Sequence, residues 1–245
     1  MFHRELHISI IGPSSAAAIA VAAFFLVAAP GAVGQGTPEE QIAAGLYETG
    51  LSPQMPADAE CPEISLGFGT QLNRSGKKRT EDHGTVHAGV DWVLPEGTPI
   101  VAIADGRVIE RGEDLKDVRG NYVAIEHSGL GARTYSSYVH LLGFNVDRGQ
   151  DVRRGQVIGY VGKTGNATYV HLHLNVYGDQ SMRVGGRRWK YRYDYLQLLL
   201  GDMAPIDPVK KREQKVPVAY IDQSGQIRPS GAKVIWPFAC TKSGP

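Results

Sequence analysis

Residues 151–177 read DVRRGQVIGYVGKTGNATYVHLHLNVY. The apolar side chains come in short runs, around Val157–Val161 and Leu172–Val176, and Gly155, Gly159, Gly162 and Gly165 punctuate the stretch. They do not recur at helical spacing, so the stretch predicts a glycine-punctuated pair of β-strands. In an extended chain, residues two apart share a face. Within HLHLN, His171 to Asn175, this sets His171 and His173 on one side and Leu172 and Leu174 on the other. The leucines mark a core face. Two histidines on the polar face of such a strand call for a chemical reason.

Neighbouring stretches carry the same signature. NYVAIEHSGLGARTYSSYVHL (121–141) predicts two strands joined at Ser128-Gly129, and TPIVAIADGRVIERG (98–112) predicts a hairpin turning at Asp105-Gly106. Short strands packed this closely, in a chain with 30 glycines and 14 prolines, predict a mainly β fold built on a small antiparallel sheet. Further on, RRWKYRYDYLQLLLGD (187–202) predicts a helix at Asp194 to Leu200, and residues 216–238 predict a terminal hairpin. The basic and aromatic start of that stretch fits either contact with an anionic polymer or a surface loop with solvated charges.

The chain has 245 residues, 42% of them hydrophobic and 21% charged, as expected of one main globular domain with appendages. With 26 basic and 25 acidic residues the net charge is +1, which argues against a dedicated nucleic-acid binder. Arg4 precedes an apolar, alanine-rich run from Ala16 to Ala29, followed by small residues at Gly31, Ala32 and Gly34. This predicts a secretory signal peptide over residues 1–34, with an uncleaved membrane anchor as the alternative. Residues 35–63 are small, polar and proline-punctuated, with room for one short helix at Gln41 to Tyr47, and read as a linker. The domain that carries the chemistry is expected over 64–180, with a C-terminal extension over 181–245. Cys61 and Cys240 are the only cysteines. They could form one disulfide in an oxidising compartment or stay as two buried thiols. A bridge across so long a loop would contribute on the order of 4 kcal/mol.

Three short motifs carry the chemistry. HAGVD, His87 to Asp91, sets an imidazole and a carboxylate four residues apart, with Gly89 permitting a bend between them, so that both can point at one metal ion. HLHLN supplies His171 and His173. YVHL places His140 at the end of an expected strand. His83 and His127 read as ordinary, partly exposed side chains.

In this order and with these separations, HAGVD, YVHL and HLHL resemble the M23 metallopeptidases (lysostaphin-type, with a LytM domain). The intervening LPEGTPIVAIADGRVI, GNYVAIEHSG and VRRGQVIGYVGKTGNAT are similar to that family's strand-and-turn pattern, over roughly residues 67–178. The resemblance implies a small antiparallel β domain with a groove across one sheet. It implies that His87, Asp91 and His173 bind one zinc ion, and that His140 and His171 stay unligated beside it as catalytic groups. Three protein ligands leave a fourth position open, as a catalytic rather than a structural zinc requires. Of the two free histidines, His171 is expected as general base and His140 as a hydrogen-bonding partner of the water or oxyanion. Where the family often has an acidic residue, this chain has Asn175, which bears on the orientation of His173. The implied substrate is cell-wall peptidoglycan, cut at a peptide bond of the stem or cross-bridge, by an exported enzyme in the periplasm or outside the cell. Family members that only activate other hydrolases typically lack some ligands, whereas all three are present here. Membrane contact is expected only through an uncleaved signal peptide, and the oligomeric state is left open.

Overall fold

The computed structural model describes residues 46–80, 85–114, 116–131, 133–184, 187–204 and 213–242. The expected signal peptide, most of the expected helix at 41–47, and His83 lie outside them. Among the described residues, no helix is long and apolar enough to cross a membrane.

The central sheet is antiparallel throughout. Its spine is the hairpin of β6 (Gly120–His127) and β7 (Thr134–Phe144), turning at Ser128-Gly129 as expected, with Gly129 at φ 75°. On one side β6 pairs with β5 (Gly106–Asp114), which in turn pairs with β8 (Asp151–Val152). On the other side β7 pairs with β10 (Leu172–Val184), and β10 with β11 (Arg187–Tyr193). The short β3 (Val90–Trp92) lies along β10 with Asp91 opposite His173. Finally, β4 (Pro99–Val101) pairs with β9 (Val157–Val161), and β9 also pairs with β7.

Two expected pairings are different in the structure. The strands flanking Asp105-Gly106 do not pair with each other, because β4 joins β9 while β5 joins β6 and β8. Ala102, Ile103 and Ala104 between them are fully buried and bond elsewhere, Ala102 N–H to the Gln156 carbonyl and Ile103 N–H to the Tyr138 hydroxyl. An apolar run buried on both sides has no alternation from which a pairing partner can be read. Likewise β9 and β10 are neighbours only through an isolated bridge between Gly162 and His171.

The sheet does not stop at residue 180. That expected boundary falls inside β10, and β11 extends the sheet beyond it. Helix α1 (Tyr195–Leu200) follows, matching the helix expected at Asp194 to Leu200. Asp194 caps it and forms a reciprocal capping box with Gln197, while Gly201 closes it in the left-handed conformation. The stretch before residue 60 is more than a linker. There, β1 (Leu51–Gln54) pairs in parallel with β12 (Gln214–Pro217), and β2 (Ala59–Glu60) pairs with β15 (Ala239–Lys242). Of the hairpin expected over 216–238, a short one forms between β13 (Tyr220–Asp222) and β14 (Ile227–Arg228), and β13 also lies parallel to β15. Cys61 and Cys240 are joined as a disulfide.

These flanking segments are held to the sheet by aromatic packing. Trp92, at the end of β3, meets Tyr195, Trp236 and Phe238 edge-to-face, with centroids 5.7, 5.2 and 5.5 Å away. All four rings are almost completely buried, and such contacts stabilise beyond the area they bury. The chain on either side of the central sheet therefore fixes the strand that carries Asp91.

Candidate metal centre

Asp91, at the middle of β3, faces His173 on β10, because the two are register partners. His87 precedes β3 by one turn of chain and reaches the same point. His87 Nε2, Asp91 Oδ1 and His173 Nδ1 lie 3.1, 3.1 and 2.7 Å from one another. Ligands about 2.0–2.1 Å from a tetrahedral zinc would stand roughly 3.3 Å apart. The three atoms can therefore share one ion with little adjustment, and borderline nitrogen plus carboxylate oxygen is a donor set that suits zinc. His87 and Asp91 are buried, and His173 is nearly so.

The surroundings orient these donors. His87 donates from Nδ1 to the Gly67 carbonyl at 2.9 Å, which leaves the Nε2 lone pair directed at the cluster. Tyr169 donates its hydroxyl to Asp91 Oδ2 at 3.3 Å. Burial pushes the Asp91 carboxyl up, but the influence of the neighbouring His87 and His173 side chains outweighs it. The net result is a pKa well below the usual carboxylate range, so Asp91 is an anion.

Gly89 lies at a bend, as expected, though without a positive φ. A Cβ there would also stand 2.3 Å from the Leu174 carbonyl oxygen and 2.9 Å from His173 Nε2. Glycine is required because β3 presses its backbone onto β10 at the residue next to His173.

His140 and His171 stand beside the three donors. The His171 ring centroid is 4.9 Å from that of His140, and the His140 ring is 6.1 Å from that of His173. Each donates from Nδ1 to a backbone carbonyl at 2.9 Å, His140 to Thr164 and His171 to Tyr169. Both therefore carry an Nε2 lone pair. His171 Nε2 is 3.9 Å from Asp91 Oδ2, and its ring packs on Tyr169 with centroids 4.4 Å apart. His140 is held neutral: burial, then the neighbouring His173 and His171, lower its pKa to about 3.

His140 does not end its strand as expected but sits inside β7 with φ 66°. A left-handed backbone at a residue other than glycine costs about 1–2 kcal/mol. It persists because His140 N–H donates to the Arg119 carbonyl at 3.0 Å while the side chain bonds Thr164. Gly120 and Gly165 make this possible. Both have positive φ, and an added Cβ on either would stand within 2.4 Å of the other's backbone.

Beyond His173, the same sheet face continues through Asn175 and Tyr177. Tyr177 stacks on Tyr135 of β7 with centroids 5.4 Å apart, and Arg192 of β11 donates to Asn175 Oδ1 at 2.7 Å. Aromatic and charged side chains thus continue the sheet face away from the metal cluster. Tyr169 and Thr164 carried no motif of their own, although Tyr169 shares the two-residue spacing of the HLH histidines; Arg192 lies in the basic and aromatic stretch noted in the sequence, which is strand β11 rather than a surface loop. His127 is not partly exposed. It is buried, with Nε2 2.7 Å from Ser136 Oγ, and burial lowers its pKa to about 4.

Residues 85–184 match the description Peptidase family M23. Over 88 residues, 36% of this chain, it is 44% identical to the DD-carboxypeptidase/endopeptidase Mpg of Neisseria meningitidis serogroup B. It is 46% identical, also over 88 residues and 36% of the chain, to the peptidoglycan DD-endopeptidase ShyC of Vibrio cholerae. In each case the match covers 19% of the relative's own length. Among solved structures, the catalytic domain of lysostaphin from Staphylococcus simulans is similar at 28% identity and a TM-score of 0.42, covering 54% of this chain and 88% of that one.

Proposed function

Residues 85–184 are a domain of peptidase family M23, and on that premise we propose that the protein is a zinc endopeptidase acting on peptide bonds of cell-wall peptidoglycan. The observation that carries this reading is the convergence of His87 Nε2, Asp91 Oδ1 and His173 Nδ1 on one point, with the His140 and His171 rings beside it. The names of the relatives support the substrate, since ShyC is a peptidoglycan DD-endopeptidase. The Cys61–Cys240 disulfide fits an oxidising compartment and hence export to the periplasm or beyond.

His87, Asp91 and His173 would hold one zinc ion. When bound, zinc supplies a Lewis acid for the scissile carbonyl and acidifies water toward neutral pH. The chain's own residues supply the rest. His171 Nε2 takes the proton of the attacking water, and the nearby Asp91 Oδ2 stabilises the imidazolium that results. The same atom then returns the proton to the leaving amine. His140, neutral and with its Nδ1 proton committed to Thr164, offers Nε2 only as an acceptor. It therefore orients the water rather than donating to an oxyanion.

The test uses wild-type protein and His173→Ala on isolated sacculi, with soluble muropeptides measured. Wild type is expected to release them, chelation to stop release, zinc to restore it, and His173→Ala to release essentially none. Equal release by both proteins, or none by either, overturns the enzyme reading. The second of these outcomes is what a module that only activates another hydrolase would give.

A further inference from the structure

Among the described residues, Arg192 lies on the sheet face that carries the metal cluster without a counter-ion. It faces Tyr177 across the β10–β11 pair, and cross-strand partners share a face of the sheet. His173, Asn175 and Tyr177 alternate onto that face, so the guanidinium belongs to the surface that carries the metal cluster. Its contacts are neutral: Nη1 donates to Asn175 Oδ1 at 2.7 Å, and the guanidinium carbon stands 5.9 Å from the Tyr177 ring centroid. Among the described residues no carboxylate pairs with it, and burial lowers its pKa.

A guanidinium stays charged at any physiological pH. Taking that charge out of water without an anion is costly, so the site is poised to receive one. Asn175 is two residues from His173, about 7 Å along a strand at roughly 3.3 Å per residue. An extended peptide with its scissile bond at the cluster advances by a similar amount per residue. A group one or two residues from that bond then falls beside Arg192. The planar fork of the guanidinium matches a carboxylate with two parallel hydrogen bonds.

The geometry points to Arg192 as a carboxylate-binding residue that selects substrates carrying a free acidic group within one or two residues of the bond that is cut. This assignment rests on the peptidase reading above. It makes this face of the sheet one that distinguishes a free carboxylate from its amide, two groups nearly identical in shape that differ in charge.

The test uses the zinc-loaded full chain and two stem-type peptides that differ only in a carboxylate or carboxamide next to the scissile bond. Affinity and kcat/KM are measured separately. Wild type is expected to bind the acid at least about tenfold more tightly than the amide, as a charge-assisted hydrogen bond allows. Arg192→Gln should bring that ratio close to one, and Arg192→Lys should restore part of it by keeping the charge and losing the fork. Wild type binding both peptides alike, binding neither, or a ratio that survives in a folded Arg192→Gln overturns the assignment. Discrimination in binding without cleavage would sink the peptidase reading instead, and cleavage without discrimination would sink only the role of Arg192. If Arg192→Gln does not fold, the wild-type ratio and Arg192→Lys still decide.

Discussion

At His140, backbone and chemistry conflict. Its left-handed φ opposes what a histidine prefers, yet its N–H and Nδ1 are both tied to neighbouring carbonyls. A conformation held at this cost beside the metal cluster fits a residue that works on the substrate rather than on the metal. His140→Ala is therefore expected to keep zinc stoichiometry, read by metal analysis, while kcat falls about 10²- to 10⁴-fold. Loss of bound zinc together with activity would place His140 among the ligands. His127 shows the opposite situation, a buried histidine that is no part of the metal cluster. Its pKa is lowered from 6.5 to about 4, so the unfolded chain binds its proton more readily than the folded one. The stability it contributes is complete above pH 6.5 and is lost as the pH falls toward 4, by about 1.4 kcal/mol for each pH step of one across that window. Unfolding midpoints of wild type and His127→Gln should separate least at pH 4 and most above pH 6.5. Parallel curves would show that His127 titrates alike in both states. At this scale much was legible. His87, Asp91, His140, His171 and His173 stand out because imidazole and carboxylate at these spacings are rare without a reason. Tyr169 and Thr164 were not legible, since a tyrosine and a backbone carbonyl acquire meaning only from what they touch, and Arg192 was legible only as one of several basic residues in its stretch.

Strands set the distances between these residues. Asp91 and His173 meet because β3 lies against β10 at Gly89, where no Cβ fits. In Gly89→Ala, β3 must move off β10 by the width of a methyl group. The variant is expected to lose about 1–3 kcal/mol of stability from overpacking and, more tellingly, at least tenfold in zinc affinity, read by competition with a chromogenic chelator. Unchanged affinity would mean that the strand contact does not set the ligand geometry. The element scale is also where the sequence misled. The β6–β7 hairpin was readable because Ser128-Gly129 sits between two alternating runs. The Asp105-Gly106 turn carried the same signal, but its upstream run is buried on both sides and crosses to β9 instead. Local turn chemistry says that the chain reverses, and it does not say which strand waits on the other side.

Across the whole molecule, the segments outside the central sheet work as its brace. The Cys61–Cys240 bridge closes a sequence separation of 179 residues, and beside it Trp236 and Phe238 pack on Trp92, the neighbour of Asp91. Replacing both cysteines by serine is expected to lower stability by several kcal/mol, on the order of 4 from loop entropy alone. Urea unfolding of the double variant against oxidised wild type checks this, and equal midpoints would refute it. The sequence by itself determined the β class, the helix after Asp194, and the set of side chains able to meet a metal, because alternation, capping and donor chemistry are local properties of the chain. It left the state of the cysteines open and could not show that residues 46–60, 187–204 and 213–242 belong to the architecture. Only tertiary structure decided these, along with the left-handed backbone of His140 and the placement of Arg192 beside Asn175. Each depends on which distant strand or loop comes to lie alongside, and that is settled by packing of the whole chain rather than by any stretch of it.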